Sequence, residues 1–269
     1  MTHLDRLEAH LLGMGHVMLG YSGGVDSALL AVASRRALGP ERMLAVIGRS
    51  ASYPEAQWRT AVEVARRFDV PLLELDTHEL DDPRYLRNAP DRCYFCKSEL
   101  WTRLADLAAA RGFDTVIDGT NADDLGEHRP GLAAGRERGI RSPLAELGWS
   151  KADVRRASRE LGLPTWDAPG APCLSSRVRY GLAVTPERLR QVEAGEAYLR
   201  SLGVTGDLRV RHLGSDARLE VLPDQLDRVR SRWEAVQEFF ISLGFGTVEL
   251  DPDGYRRGRM LALAASQPS

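Results

Sequence analysis

The chain has 269 residues, 43% hydrophobic and 28% charged, and its 36 Lys+Arg against 38 Asp+Glu leave a formal net charge of -2. That balance excludes a strongly cationic nucleic-acid coat or a polybasic membrane anchor, and the length favours roughly two domains. No window reaches the ~18–20 uninterrupted apolar residues of a membrane span, and three cysteines are too few, and odd in number, for a disulfide framework, which points to a reducing, cytoplasmic setting.

Leu4, Leu7, Leu11 and Leu12 follow helical spacing, and Asp5 and Glu8 inside that pattern argue against a signal peptide. A short apolar run, Val17-Met18-Leu19, then ends in Gly20-Tyr21-Ser22-Gly23-Gly24. The Ala- and Leu-rich stretch from Asp26 to Ala37 reads as a buried helix, and Met43 to Ile47 as a second buried strand. Trp58, Val62, Ala65 and Phe68 share a helix face; Leu72–Leu75 and Thr115–Ile117 are further strands, with a helix from about Cys96 to Arg111 between them. Strands alternating with helices imply a parallel α/β sheet covered on both faces. The Pro- and Gly-containing stretch from Pro164 to Pro172 breaks the pattern. Beyond it come a helix over about 186–201, strands at Leu208–His212 and Ala217–Val221, a helix from about Asp224 to Leu243 and a strand near Val248. The expected division is a nucleotide-binding domain over 1–175 and a smaller α+β domain over 176–269.

Ser22-Gly23-Gly24-Val25-Asp26-Ser27 falls between the first strand and the helix that follows. Two glycines let the backbone approach an anion, and the helix start offers free N–H groups and a positive dipole end to a phosphate. Ser22 and Ser27 add hydroxyls, and Asp26 can hold a Mg²⁺ that shields phosphate charge; the plainer reading is a tight turn with Ser and Asp as caps. Neither a Walker loop nor a G-x-G-x-x-G string is present. SGGVDS in this setting resembles the signature of the PP-loop ATP pyrophosphatases. The resemblance implies a Rossmann-like sheet of the adenine nucleotide alpha hydrolase type, and ATP cleaved to AMP and pyrophosphate while a substrate oxygen is adenylated.

Cys93 and Cys96 lie three apart near a helix start, where the dipole lowers thiol pKa, and Cys173 lies in the irregular stretch. Four good zinc ligands are lacking. A dithiol pair, three thiolates on an iron–sulfur cluster with one open iron, and inert buried thiols all remain open on the residues alone. SGGVDS, RCYFCKSEL, DGTNADD, CLSSR, RVRH and a terminal DxxGYRxG together resemble the LarE family over nearly the whole chain. The resemblance implies an ATP-dependent sulfur transferase acting on pyridinium-3,5-biscarboxylic acid mononucleotide, in biosynthesis of the nickel-pincer nucleotide cofactor. It implies the three-cysteine type of member, with Cys93, Cys96 and Cys173 holding a 4Fe–4S cluster, as against members that surrender the sulfur of the residue matched by Cys173. It also implies a catalytic role for Cys173, Lys97 and Asp26, a nucleotide or metal contact at Asp124, and a homo-oligomer. Where the family ends in GYRxGS, Gly258 is here followed by Arg259.

Arg209 and Arg211, two apart on an alternating strand, share a face, and Glu220 lies on the next strand. Paired arginines suit planar anion recognition, so these three, with Ser176 and Arg177 beside Cys173, form the expected site for the phosphorylated dicarboxylate; an exposed strand face laced with ion pairs is the alternative. Glu196 falls on the inward stripe Leu189–Val192–Glu196–Leu199, where a carboxylate needs a partner, a metal or one of these arginines, and it is expected in the same substrate site. The competing functions are a cluster-dependent tRNA thiolase, which needs a long basic surface, an ammonia-dependent amidoligase with idle cysteines, and a non-catalytic nucleotide-binding module. The partner expected is a small-molecule nucleotide, with the sulfide donor unspecified, and not a nucleic acid or a membrane.

Overall fold

The computed structural model describes residues 2–126, 130–170 and 172–256. The chain divides into two compact units: Met1–Glu79 with Asp91–Ala171, and Leu80–Pro90 with Pro172–Ser269. The first contains α1 (His3–Leu12), β1 (Val17–Gly20), α2 (Val25–Leu38), β2 (Met43–Arg49), α3 (Glu55–Arg67) and β3 (Leu72–Asp76). The short α4 (Pro83–Leu86) belongs to the second unit, and the first resumes with α5 (Arg92–Arg111), β4 (Thr115–Ile117), α6 (Pro130–Glu137), α7 (Pro143–Glu146) and α8 (Lys151–Glu160).

The four strands are parallel in the order β3-β2-β1-β4. The chain therefore moves outward from β1 through β2 to β3 and then places β4 on the opposite side of β1. Strand order reverses between β1 and β4, the place where open α/β sheets bind ligands at their carboxyl ends. Alternation puts Val17 and Leu19 in one core and Met18 in the other. The first core carries α2, whose Ala- and Leu-rich sequence is buried on nearly every side between the sheet and α1, α3 and α8. The second lies under α5 and α6 and contains Trp101, Leu104, Ala108 and Ala134. The α/β sheet with helices on both faces is as the alternation implies. Helix α5 starts at Arg92 rather than near Cys96, so both cysteines stand on its opening turns.

The second unit continues with α9 (Pro186–Ser201), β5 (Leu208–His212), β6 (Asp216–Val221), α10 (Leu226–Arg230), α11 (Trp233–Ser242) and β7 (Thr247–Leu250). β5 and β6 are antiparallel with Arg209 opposite Glu220, while β6 and β7 are parallel. The helix expected over 224–243 is divided: Arg232 leaves helical dihedrals, and the Ser231 hydroxyl donates back to the Arg228 carbonyl at 2.9 Å, a bond that competes with helix continuation. Leu80–Pro90 belongs to this unit through specific contacts. The Tyr85 hydroxyl meets Ser175 Oγ at 2.6 Å, and Asn88, in the left-handed region at φ 55, donates from Nδ2 to the Arg179 and Leu182 carbonyls at 2.9 Å each. Among the described residues no helix is long and apolar enough to cross a membrane.

Candidate active site

At the carboxyl end of β1 the chain bends through Gly23 at φ 68, where a Cβ would stand 2.5 Å from the Ala61 Cβ, so only glycine fits. Gly24 is the N-cap of α2 and contributes no side-chain capping bond, which leaves the first N–H groups of this helix turned outward as an anion cradle. Ser27 Oγ donates to the Gly24 carbonyl at 3.1 Å and accepts from the Ser22 N–H at 3.3 Å, and the two hydroxyls lie 3.1 Å apart. From the β2 side, Tyr53 Oη and Gln57 Nε2 donate to the Ser22 carbonyl at 2.9 and 2.7 Å. Burial pushes the Tyr53 phenol well above its usual range, so it keeps the proton that this bond requires.

The loop after β4 closes the other side. Gly119 lies against the opening turn of α2: a Cβ there would be 2.9 Å from Ser27 N and 3.1 Å from Ser27 Cα. Asn121 donates from Nδ2 to Asp26 Oδ1 at 2.9 Å, while its Oδ1 accepts the N–H groups of Asp123 and Asp124 at 3.0 and 3.3 Å. Asp124 in turn accepts the Asn121 N–H at 3.2 Å, and Asp123 accepts the Lys151 N–H at 2.8 Å, as a cap of α8. The other oxygen of Asp26 receives the Lys151 ammonium at 2.5 Å. Sequence reasoning missed Lys151, Asn121, Tyr53 and Gln57. A signal for Lys151 exists: it and Lys97 are the only lysines among the 36 Lys+Arg of the chain, and it opens a helix whose Ser150 and Asp153 form a capping box.

Lys97, one turn into α5, carries its ammonium over the Trp101 ring, 5.1 Å from the centroid. Cys93 is exposed and Cys96 partly buried.

In the second unit a single connected network joins the remaining candidates. Cys173 caps a 3₁₀ turn, Leu174–Arg177, and its carbonyl accepts the Ser176 N–H at 3.0 Å and hydroxyl at 2.8 Å. Arg177 grips Glu196 through two nitrogens at 2.9 and 3.1 Å, and its third reaches the carbonyls of Pro172 and Cys173 and Ser176 Oγ. Arg177 thus fixes the backbone that presents the thiol, with Glu196 as its counter-charge. Glu196 also accepts the Val210 N–H at 3.1 Å, between Arg209 and Arg211. Arg211 pairs with Glu220 Oε2 at 2.8–2.9 Å and donates to the Ser176 carbonyl at 3.1 Å. Arg209 lies over the Tyr255 ring at 4.9 Å, and burial followed by the neighbouring Arg177 lowers its pKa. All of β5 is buried, so this is an enclosed charged layer and not a solvated strand face. Asp207 pairs with Arg209 at 3.4 Å, so the three buried arginines are set against three carboxylates, Glu196, Glu220 and Asp207. The Arg257-Gly258-Arg259 part of the terminal motif lies outside the described residues.

Two absent groups can be tested against these residues. The uncapped α2 N-terminus and bent glycine suit the phosphates of ATP; Mg²⁺ would travel with the nucleotide, toward Asp26. Three thiolates are the right donor chemistry for an iron–sulfur cluster. Among the described residues, however, no group of three His, Cys, Asp or Glu is gathered to hold a metal ion.

The family model described as NAD synthase matches residues 6–90. Over 262 residues the chain is 42% identical to an uncharacterised protein, slr1717, of Synechocystis sp., covering 96% of this chain and 97% of that protein. It is 35% identical over 259 residues to the pyridinium-3,5-bisthiocarboxylic acid mononucleotide synthase of Lactiplantibacillus plantarum, covering 96% of this chain and 94% of that enzyme. An uncharacterised protein of Methanocaldococcus jannaschii, MJ0830, is 30% identical over 240 residues, 89% of this chain and 90% of the other. With a glycine-bent loop at the reversal point of a parallel sheet, and 35% identity to the mononucleotide synthase over 96% of its length, the chain belongs to the LarE family of PP-loop proteins.

Proposed function

We propose that this chain is an ATP-dependent sulfur transferase that adenylates a carboxylate of pyridinium-3,5-biscarboxylic acid mononucleotide and converts it to a thiocarboxylate, in formation of the nickel-pincer nucleotide cofactor. The observation that carries the reading is the pairing, in one chain, of an uncapped helix N-terminus flanked by Asp26 and Lys151 with a buried three-arginine network around Cys173. ATP phosphates bind the N–H groups at the start of α2 and the hydroxyls of Ser22 and Ser27. Negative charge then competes with Asp26 for Lys151, and the ammonium moves onto the departing pyrophosphate, where fixed cations are worth most. A substrate carboxylate oxygen attacks the α-phosphorus and the bond to pyrophosphate breaks. A sulfur nucleophile next attacks the acyl carbon, and AMP leaves with the electrons of the acyl C–O bond. The mononucleotide's anionic groups take the positive charge of Arg209 and Arg211, and Ser176 with Arg177 holds Cys173 in register. Cys93, Cys96 and Cys173 are the residues that would hold a 4Fe–4S cluster, which when bound supplies a sulfide to the reaction. A small nucleotide, and not tRNA, is supported as substrate by the net charge of -2.

The test is anaerobic incubation of the full chain with ATP and the dicarboxylate mononucleotide, following pyrophosphate and the mass of the product, with iron and acid-labile sulfide counted on the same sample. Substrate-dependent pyrophosphate release with sulfur replacing oxygen in the product is expected. Pyrophosphate release that requires tRNA, or amide formation with ammonia, would replace the reading.

A further inference from the structure

The chain meets almost every need for positive charge with arginine: of its 36 Lys+Arg, only Lys97 and Lys151 are lysine. Lys151 sits on Asp26 at the nucleotide loop. Lys97 is the other place where the chain carries a compact ammonium and not a planar guanidinium. Its surroundings are built around it. The ammonium stands 5.1 Å from the centroid of the Trp101 ring, one helical turn on along the same face of α5. Trp101 is 3% exposed and packs against two glycines. Its far edge abuts Gly20, the last residue of β1, where a Cβ would fall 2.5 Å from Cζ3 and 2.7 Å from Cη2. Its Nε1 faces Gly135 of α6, where a Cβ would come to 3.4 Å. One turn earlier on the same helix, Gly131 admits the lysine stem: a Cβ there would be 2.9 Å from Lys97 Cγ and 3.5 Å from the Cys93 carbonyl. The two helices are tied alongside by Tyr94 to Glu137 at 2.6 Å and by Arg138 to Thr102 at 2.8 Å.

We propose that Trp101 is the positioning residue for Lys97: its ring, seated on Gly20, carries the ammonium on its face and fixes it relative to the end of β1 and the nucleotide loop that follows. The proposal rests on the catalytic role for Lys97 that the family resemblance implies. The negative face of the indole attracts the ammonium and removes the freedom of a four-carbon chain, while the glycines at 20 and 131 make the space that larger residues would close.

Two measurements on the full chain test this. Reductive methylation with ¹³C-formaldehyde keeps lysine charge and labels only Lys97, Lys151 and the N-terminal amine. Lys97, identified by its loss in Lys97→Arg, is expected upfield of Lys151 through the ring current of Trp101, and at the Lys151 position in Trp101→Leu. In the pyrophosphate assay, Trp101→Leu is expected to lower kcat about tenfold, the size of a lost partly buried cation–π contact, at unchanged KM for ATP, and Trp101→Phe to restore most of it. An unshifted Lys97 signal in the wild-type chain overturns the proposal, whether or not a variant folds. So does wild-type kcat in Trp101→Leu when Lys97→Met is impaired. Full activity in Lys97→Met instead overturns the underlying role of the lysine, a failure that the NMR signal does not share.

Discussion

Gly119→Ala tests whether the β4 loop and the start of α2 are one rigid surface. The added methyl would meet Ser27 N at 2.9 Å, Ser27 Cα at 3.1 Å and the Asp26 carbonyl carbon at 3.2 Å, all backbone atoms, so no side-chain rotation relieves it. Restoring an ordinary carbon contact requires the two segments to part by about 0.6 Å. Overpacking of this kind costs about 1–3 kcal/mol, which lowers the Tm by roughly 3–10 °C. The same displacement stretches the 2.9 Å bond from Asn121 to Asp26 and shifts the N–H cradle. Sub-ångström to ångström misplacement of reacting groups is worth about 10- to 100-fold in rate. Differential scanning fluorimetry and the pyrophosphate assay measure both effects, with Gly170→Ala as the control, since a Cβ added there would meet nothing within 4 Å. A Gly119→Ala chain with wild-type Tm, turnover and KM for ATP would show that the loops are not coupled as described.

Asp26→Ala is expected to abolish pyrophosphate release and sulfur transfer together, because Lys151 and Asn121 lose their common acceptor; Cys93→Ala is expected to stop sulfur transfer alone, and intact transfer in that variant would return the sacrificial single-cysteine mechanism. Glu196→Gln leaves the Arg177 guanidinium, 5% exposed, without its counter-charge and is expected to destabilise the second unit by about 3 kcal/mol, read as a lower urea midpoint. His212 is 2% exposed; its Nδ1 accepts the Gly214 N–H and its Nε2 therefore donates to Gln191 Oε1. Burial, with Arg188 adding, lowers its pKa from 6.5 to about 4. The unfolded chain therefore binds the proton first as pH falls, and stability present above pH 6.5 is lost progressively toward pH 4. Denaturation midpoints at pH 7.5 and 5 should differ by more in the wild-type chain than in His212→Gln; an equal difference refutes the assignment.

Local chemistry made the glycine-bent loop legible: Ser22 to Ser27 form one contiguous string, and the strand before and helix after are strongly patterned. Alternation likewise put Arg209 and Arg211 on one side of a strand. It could not show that both sides are covered, because the cover comes from Ser176, Glu196 and Tyr255, each distant in sequence. Lys151 was missed for the same reason. Its acceptor lies 125 residues away, and apart from the scarcity of lysine in the chain nothing in Ser150-Lys151-Ala152-Asp153 separates it from an ordinary first-turn residue. The length of α5 was underread because Cys93-Tyr94-Phe95 has no helical polarity of its own; its helicity comes from packing against α6.

Leu80–Pro90 gives the second unit a discontinuous ancestry in the chain. The backbone passes between units at 79–80, at 90–91 and again at 171–172, so neither unit is a segment that can be cut out with one stroke. Ending the chain at residue 171 would strip Tyr85 of Ser175 and leave Asn88, in a backbone conformation few residues tolerate, without the carbonyls that hold it. A ribosome faces the same order of events. Residues 80–90 emerge long before their partners at 175–182, and must wait for them beside the thiols of Cys93 and Cys96. Every residue of the first unit is therefore synthesised before the second has its last segment, and the chain next to the CxxC helix lacks its partners until the C-terminal third is made.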